Sequence, residues 1–245
     1  MPRFYIPKNL TANLLNNVSV SLPDKVARHV QVLRYQPEDV IDLFDGSGMV
    51  YQVEIIAMGK KNVDVQLRDC KSISIESVLK ITLLQSISSS ERMDLTIQKS
   101  VELGVTKIQP ILTERSSQRL QGERAMKKIE RWQDIAISAC EQCGRTVVPE
   151  VSPVTELSEV VGNISSDSLK LLMSLNQPVG LNEFALPQDD ITLLIGPEGG
   201  LSNEEESLAI KHGFTAISLG PRILRTETAS LAALAAMQTL WGDFV

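Results

Sequence analysis

A chain of 245 residues, 43% hydrophobic and 22% charged, can bury one large core or two smaller ones and is far from the composition of disordered segments. No apolar run approaches the roughly 20 residues needed to cross a bilayer, and the opening MPRFYIPKNL lacks the apolar stretch of a secretion signal, so a cytoplasmic protein without membrane contact is expected. The net charge of −6 works against a polyphosphate ligand, but it is unevenly spread: residues 1 to 72 hold nine basic and eight acidic side chains, net +1, which leaves −7 for the rest.

In chain order, an amphipathic helix from Asp24 to Arg34, opened by an Asp cap, places Val26, Val30 and Leu33 on one face. Three short strands follow, VIDLFDG, MVYQVEIIAM and NVDVQL, separated by the turn signals DGSG at 45 to 48 and GKKN at 59 to 62. Such close strands suggest a small barrel. Past a polar stretch at 71 to 77 the rhythm changes: KITLLQ reads as a buried strand, Arg92 to Leu103 as a helix closed by Gly104, and Lys107 to Leu112 as a strand. That alternation is α/β architecture, with a domain boundary near residue 73. Arg124 to Cys143 makes a long amphipathic helix with Ile129, Trp132 and Cys140 inward, and Leu169 to Ser174 and Ile191 to Ile195 are further core strands.

The three cysteines, Cys70, Cys140 and Cys143, cannot pair completely, and free thiols are expected. Cys140 and Cys143 form a C-x-x-C, but no second pair stands at ligand spacing, so these are read as thiols near a helix end and no metal is expected. His29 and His212 have no partner motif and are read as structural.

Two segments point to chemistry. In LLIGPEGGLSNEEE, from Leu193, an apolar strand runs into Gly196, Pro197, Gly199 and Gly200, where a ligand can lie against backbone, and Ser202 with Glu205 forms a capping box that starts a helix. No Gly-Lys-Ser/Thr follows and Gly-x-Gly-x-x-Gly is absent, so this is neither a P-loop nor a dinucleotide fingerprint. In ISLGPRILRTETAS, from Ile217, a strand end is followed by Arg222, Arg225, Thr226, Glu227 and Thr228, with Thr226 or Thr228 available to cap an apolar helix running to Trp241. Both strands end in Gly-Pro, and the sequence reads them as neighbours.

These segments, in this order, resemble the SPOUT class of methyltransferases, and IGPEGGLS with LGPRILRTETA resembles more closely the RsmE family of ribosomal RNA uridine-N3 methyltransferases. The likeness extends to RFY, HVQVLR and LFDGSG in the first part and QKSVELGV, TERS and SACEQCGR in the second. It implies a PUA-like β-barrel over residues 1–72 that positions RNA, and an α/β, trefoil-knotted SPOUT domain over 73–245 that holds S-adenosyl-L-methionine. The knot comes from the resemblance alone, since chains ordinarily do not thread loops.

By the same resemblance the cofactor would be bound by Leu172 and Met173 at one strand end, and by Ile195, Gly196, Pro197, Gly199, Gly200 and Leu201 at the next. Leu219, Gly220, Arg222, Ile223 and Leu224 would complete the pocket, with Thr228 and Ala229 at the start of the last helix. Catalysis would fall to Arg225, stabilising negative charge on the uracil oxygens, and to Glu227, which either accepts the N3 proton or orients Arg225. RNA contacts are expected at Arg3, Arg28 and Arg34 in the first domain and at Lys99, Arg115 and Arg145 in the second, with Glu102 beside Lys99. The expected substrate is a decoding-region uridine of 16S rRNA in the small ribosomal subunit. The nearly all-apolar helix SLAALAAMQTLW, from Ser230, is the expected contact of a homodimer formed by the knotted domains. Two alternatives remain: a SPOUT methyltransferase acting on another RNA nucleotide, and a non-catalytic RNA-binding module.

Overall fold

A computed structural model describes residues 3–244. The chain forms two compact units, one made of residues 1–76 with 140–148, the other of 77–139 with 149–245. Each is described by itself.

The first unit runs β1 (Arg3–Tyr5), α1 (Lys8–Leu15), β2 (Val20–Ser21), α2 (Asp24–Val32), β3 (Val40–Phe44), β4 (Met49–Met58) and β5 (Val63–Ser72). Its sheet has the order β1-β3-β4-β5-β2, antiparallel except for the β1/β3 pair. Alternation along β4 sends Val53 and Ile55 inward, and register shifts at Gln52/Val53 and Ile55/Ala57 bend the ribbon it forms with β5. Leu14 of α1 and Val26, Ala27 and Val30 of α2 complete this core, whereas Leu33, expected on the same face, is exposed. Pro23, in extended conformation, occupies the N-cap of α2; Asp24 is the first helical residue and caps nothing, though its charge suits the helix's positive end.

The DGSG turn rests on Asp45. Its buried carboxylate accepts hydrogen bonds from the Ser47 N–H at 3.0 Å, the Thr11 hydroxyl at 2.8 Å and the Tyr51 hydroxyl at 3.3 Å. Burial pushes the Asp45 carboxyl up, but the bonds from Ser47, Thr11 and Tyr51 together hold it below the usual carboxylate range. Glu76 anchors the later segment in the same way: it takes Arg145 Nε at 2.7 Å and the backbone N–H groups of Thr146 and Val147 at 3.3 and 3.2 Å.

The second unit comprises β6 (Ile81–Ser86), α3 (Ser90–Glu102), β7 (Lys107–Leu112), α4 (Gly122–Cys143), β8 (Glu150–Val151), β9 (Thr155–Glu156), α5 (Leu157–Val161), β10 (Leu169–Met173), β11 (Ile191–Ile195), α6 (Asn203–Lys211), β12 (Thr215–Ile217) and α7 (Thr226–Trp241). The last residues of α4, from Cys140, belong to the first unit. All strands are parallel, in the order β12-β10-β11-β6-β7-β8, with β9 also on β7. Buried on both faces, β6 and β11 read as continuous apolar runs, as parallel strands do. Leu84, Leu172 and Leu194 meet α5 and α6 on one face; α3 and α7 pack on each other, with α7 also against β11. Along α7, Ala229, Ala233, Leu234 and Met237 are buried, while Leu231, Ala232, Ala235 and Ala236 are half-buried. The strands β11 and β12 are not neighbours: β10 lies between them, so three strand ends converge rather than two. Among the described residues no helix is long and apolar enough to cross a membrane.

Asp45→Ala should destabilise the protein by about 1–3 kcal/mol, because Thr11, Ser47 and Tyr51 lose their common acceptor; the shift in denaturant midpoint measures it. The sign with pH follows from the lowered carboxyl: the wild-type advantage is complete above the ordinary carboxylate value of about 4 and is lost as pH falls through the lowered folded value.

Candidate functional site

The carboxyl ends of β10, β11 and β12 open into a cavity of about 470 Å³. Open parallel sheets bind ligands there, because the loops that follow the strands are free of sheet pairing. Its walls are Met173 to Leu175 after β10, the loop from Ile195 to Leu201 after β11, and the loop from Ser218 to Leu224 after β12, with Arg92 and the first turn of α7 adding Arg225, Thr226 and Ala229.

Each loop is held by side chains from elsewhere in the unit. Thr226 does not cap α7, whose N-cap is Arg225 without a side-chain bond; its hydroxyl instead donates to the Gly196 carbonyl at 2.7 Å and accepts from Gln85 Nε2 at 3.0 Å. The Ser230 hydroxyl donates to Gln85 Oε1 at 2.6 Å. The chain that leaves β12 thus returns past the end of β11 to central strand β6, the path a knotted sheet of this kind requires. Ser202 caps α6 as expected, with its own N–H donating to Glu205 Oε2 at 2.9 Å, and Glu205 Oε1 accepts the Glu114 N–H at 2.8 Å. Arg115 donates from Nη1 to the carbonyls of Gly199 and Leu201 at 3.0 and 3.2 Å. A Cβ on Gly199 would lie 3.4 Å from the Arg115 side chain, and Gly200 has a φ of +70°, which side chains resist.

The expected site residues therefore sort by position. Met173, Ile195, Gly196, Pro197, Gly200 and Leu201 line the cavity, as do Leu219, Gly220, Arg222, Ile223, Leu224, Ala229 and Arg225. Ile223 does so at the mouth, 85% exposed. Leu172 points instead into the core beneath α5 and α6, Gly199 packs on Arg115, and Thr228 is exposed outside the lining. Glu227, only 9% exposed, lies with Oε1 3.6 Å from Arg92 Nε, so its partner is Arg92 and not Arg225.

Among the expected RNA contacts, Arg28 and Arg34 are exposed, and Arg34 has a left-handed φ of +63° just past α2. Arg3 is engaged by Asp42 and by the Gly144 carbonyl. Lys99 pairs with Glu102 at 2.7 Å, and Arg115 braces the glycine loop. Arg145 is 5% exposed and ion-paired with Glu76 at 2.6 Å, which places it in the interior of the first unit instead of at a rim. Cys140 is a buried thiol whose burial pushes it up to about 12, and Cys143 is partly buried.

Sequence reasoning missed Arg92, Glu206 and Ser218 as lining residues, along with the polar role of Glu198. Glu198 accepts from Arg92 Nη1 at 2.8 Å and from the Ser89 N–H at 3.1 Å. Burial pushes its carboxyl up, but backbone N–H groups, its own and that of Ser89, outweigh this together with Arg92 and hold it below the usual range. Glu198 was legible, since it sits inside the glycine loop. Arg92 was not, being brought 106 positions across the chain by packing.

The class follows from two family models: an RNA methyltransferase domain matches residues 75–238 and an RNA methyltransferase PUA domain matches residues 22–68. A crystal structure of ribosomal RNA small subunit methyltransferase E from Neisseria gonorrhoeae, bound to S-adenosyl methionine, is 49% identical, with a TM-score of 0.94 and all of both chains covered. A structure from Legionella pneumophila in complex with the bound cofactor SAM is 37% identical, with a TM-score of 0.92, covering 100% of this chain and 99% of the other. The ribosomal RNA small subunit methyltransferase E of Buchnera aphidicola (Acyrthosiphon pisum) is 37% identical over 100% of this chain and 95% of its own length. The chain belongs to the ribosomal RNA small subunit methyltransferase E family. Its fold is the expected one, an α/β domain of the SPOUT type preceded by a small PUA-like domain.

Thr226→Val, which keeps the shape but deletes the hydroxyl, should cost about 1–3 kcal/mol by leaving the buried Gly196 carbonyl without its donor. Equilibrium denaturation of the two proteins side by side reads this directly.

Proposed function

We propose that this protein binds S-adenosyl-L-methionine in the cavity after β10, β11 and β12 and transfers its methyl group to N3 of a uridine in the decoding region of 16S rRNA. The observation that carries the reading is the cavity itself: three braced loops around apolar walls, with Arg225 at the lining and acidic groups nearby. Apolar surfaces from Ile195, Leu201, Leu219 and Leu224 suit an adenine, and the carboxylates of Glu198 and Glu206 suit a ligand carrying a sulfonium and an ammonium while opposing a triphosphate. The Gly196 to Leu201 backbone comes close enough to the ligand space to donate and accept directly.

When bound, the cofactor supplies a methyl group on a positively charged sulfur; the N3–C bond forms as the S–CH3 bond breaks, and the N3 proton leaves to a base. The chain's own part is alignment and charge. Arg225 stabilises negative charge growing on the uracil oxygens, as a preorganised donor does. Glu227 is the base: its Oε2 is buried and has no hydrogen-bond partner among the described residues, so an acceptor stands open beside Arg225 and Thr226. The exposed Arg28 and Arg34 of the first unit, residues 1–72 in this reading, supply phosphate contacts, while the half-buried Leu231, Ala232, Ala235 and Ala236 of α7 meet a second copy in a homodimer. The substrate is the small subunit in assembled form, met in the cytoplasm.

Titration with S-adenosyl-L-methionine should give micromolar binding, and incubation with small subunits and with free rRNA from cells lacking the gene should give N3-methyluridine by mass spectrometry. A mark on another base or atom would overturn the assignment, and absence of cofactor binding would favour a non-catalytic module. Arg225→Ala should lower turnover roughly 100-fold or more while leaving cofactor affinity nearly unchanged. Equal loss in both would make Arg225 a binding residue.

A further inference from the structure

Arg92 stands on the first turn of α3, half-exposed and lining the cavity. One edge of its guanidinium is fixed: Nη1 donates to Glu198 at 2.8 Å, and Glu198 is itself held by the Ser89 N–H at the helix start. The other edge faces Glu227, with Nε 3.6 Å from Oε1. A planar fork can meet two carboxylates on two edges, which an ammonium cannot do in a fixed geometry.

Glu227 is the side of this arrangement that lacks compensation. Its side chain is nearly enclosed, its contact with Arg92 is longer than a hydrogen bond, and Oε2 has no partner among the described residues. Burying a carboxylate is expensive without donors, and an open buried acceptor in a native protein has a cause. We propose that Arg92 is a positioning residue for methyl transfer: braced by Glu198, it holds Glu227 in the rotamer that leaves Oε2 open to the substrate's N–H. The inference rests on the reading of Glu227 as the base, and it links the loop that walls the cavity to the group that takes the proton. A role confined to bracing Glu198 would act on cofactor binding instead.

A double-mutant cycle separates these cases. Arg92→Gln, Arg92→Lys, Glu227→Gln and the Arg92→Gln/Glu227→Gln pair are compared for kcat and KM on the rRNA substrate and for S-adenosyl-L-methionine affinity. Arg92→Gln should lower kcat roughly 10- to 100-fold with cofactor affinity little changed. Arg92→Lys should restore part of that rate, and the pair should lose no more than Glu227→Gln alone, because the two residues act as one unit. Losses that multiply in the pair, or that fall wholly on cofactor affinity, overturn the positioning role. Thermal unfolding of Arg92→Gln checks its fold, and if it is unfolded the Lys variant, alone and paired with Glu227→Gln, decides by the same criteria. Wild-type protein inactive on rRNA would sink the methyltransferase reading. A fully active Glu227→Gln would remove the base, whereas an inactive Glu227→Gln beside a fully active Arg92→Gln would sink this inference alone.

Discussion

The hydroxyl of Thr226 bonds at once to the Gly196 carbonyl and the Gln85 amide, and the site depends on that three-way junction. It joins the loop after β11, the start of α7 and the end of β6, segments far apart in sequence. Loop backbone has no ladder to satisfy it, so a buried loop carbonyl needs such a partner. The junction also sets the direction of its neighbours in the chain: Arg225 reaches the cavity lining, Thr226 turns into the network, and Glu227 is enclosed against Arg92. Moving Thr226 would move all three.

The second constraint is electrostatic. A net charge of −6 sits uneasily with a polyanionic substrate, yet the cavity gathers Arg92, Arg222 and Arg225 with Glu198 and Glu206, and encloses Glu227 beside them. Near-balanced charge in a partly dry site gives strong local fields without attracting a free triphosphate. Arg115 and Glu205 spend their charge on backbone groups of the TERS segment and the glycine loop, which makes the loop rigid rather than cationic.

Much of this was legible from local pattern. The alternation of MVYQVEIIAM, the apolar runs of β6 and β11, and the Ser202 to Glu205 box each depend on residues a few positions apart, and each is found where expected. Most of the lining was legible too, because two contiguous loops supply it. What failed to show was long-range. That β10 separates β11 from β12 is a property of strand order, which no local period encodes. Arg145 looks in sequence like any solvent-facing arginine, and only its pairing with Glu76 explains its burial. Leu172 belongs to a strand end at the cavity, but the pleat turns it to the core while Met173 faces the ligand space.

The most direct measurement is a crystal structure of the protein grown with S-adenosyl-L-methionine. The account predicts density for the molecule enclosed by residues 196 to 201 and 219 to 224, with the methyl group directed toward Arg225. Density for the molecule elsewhere, with those two loops in contact with nothing but solvent, would contradict it.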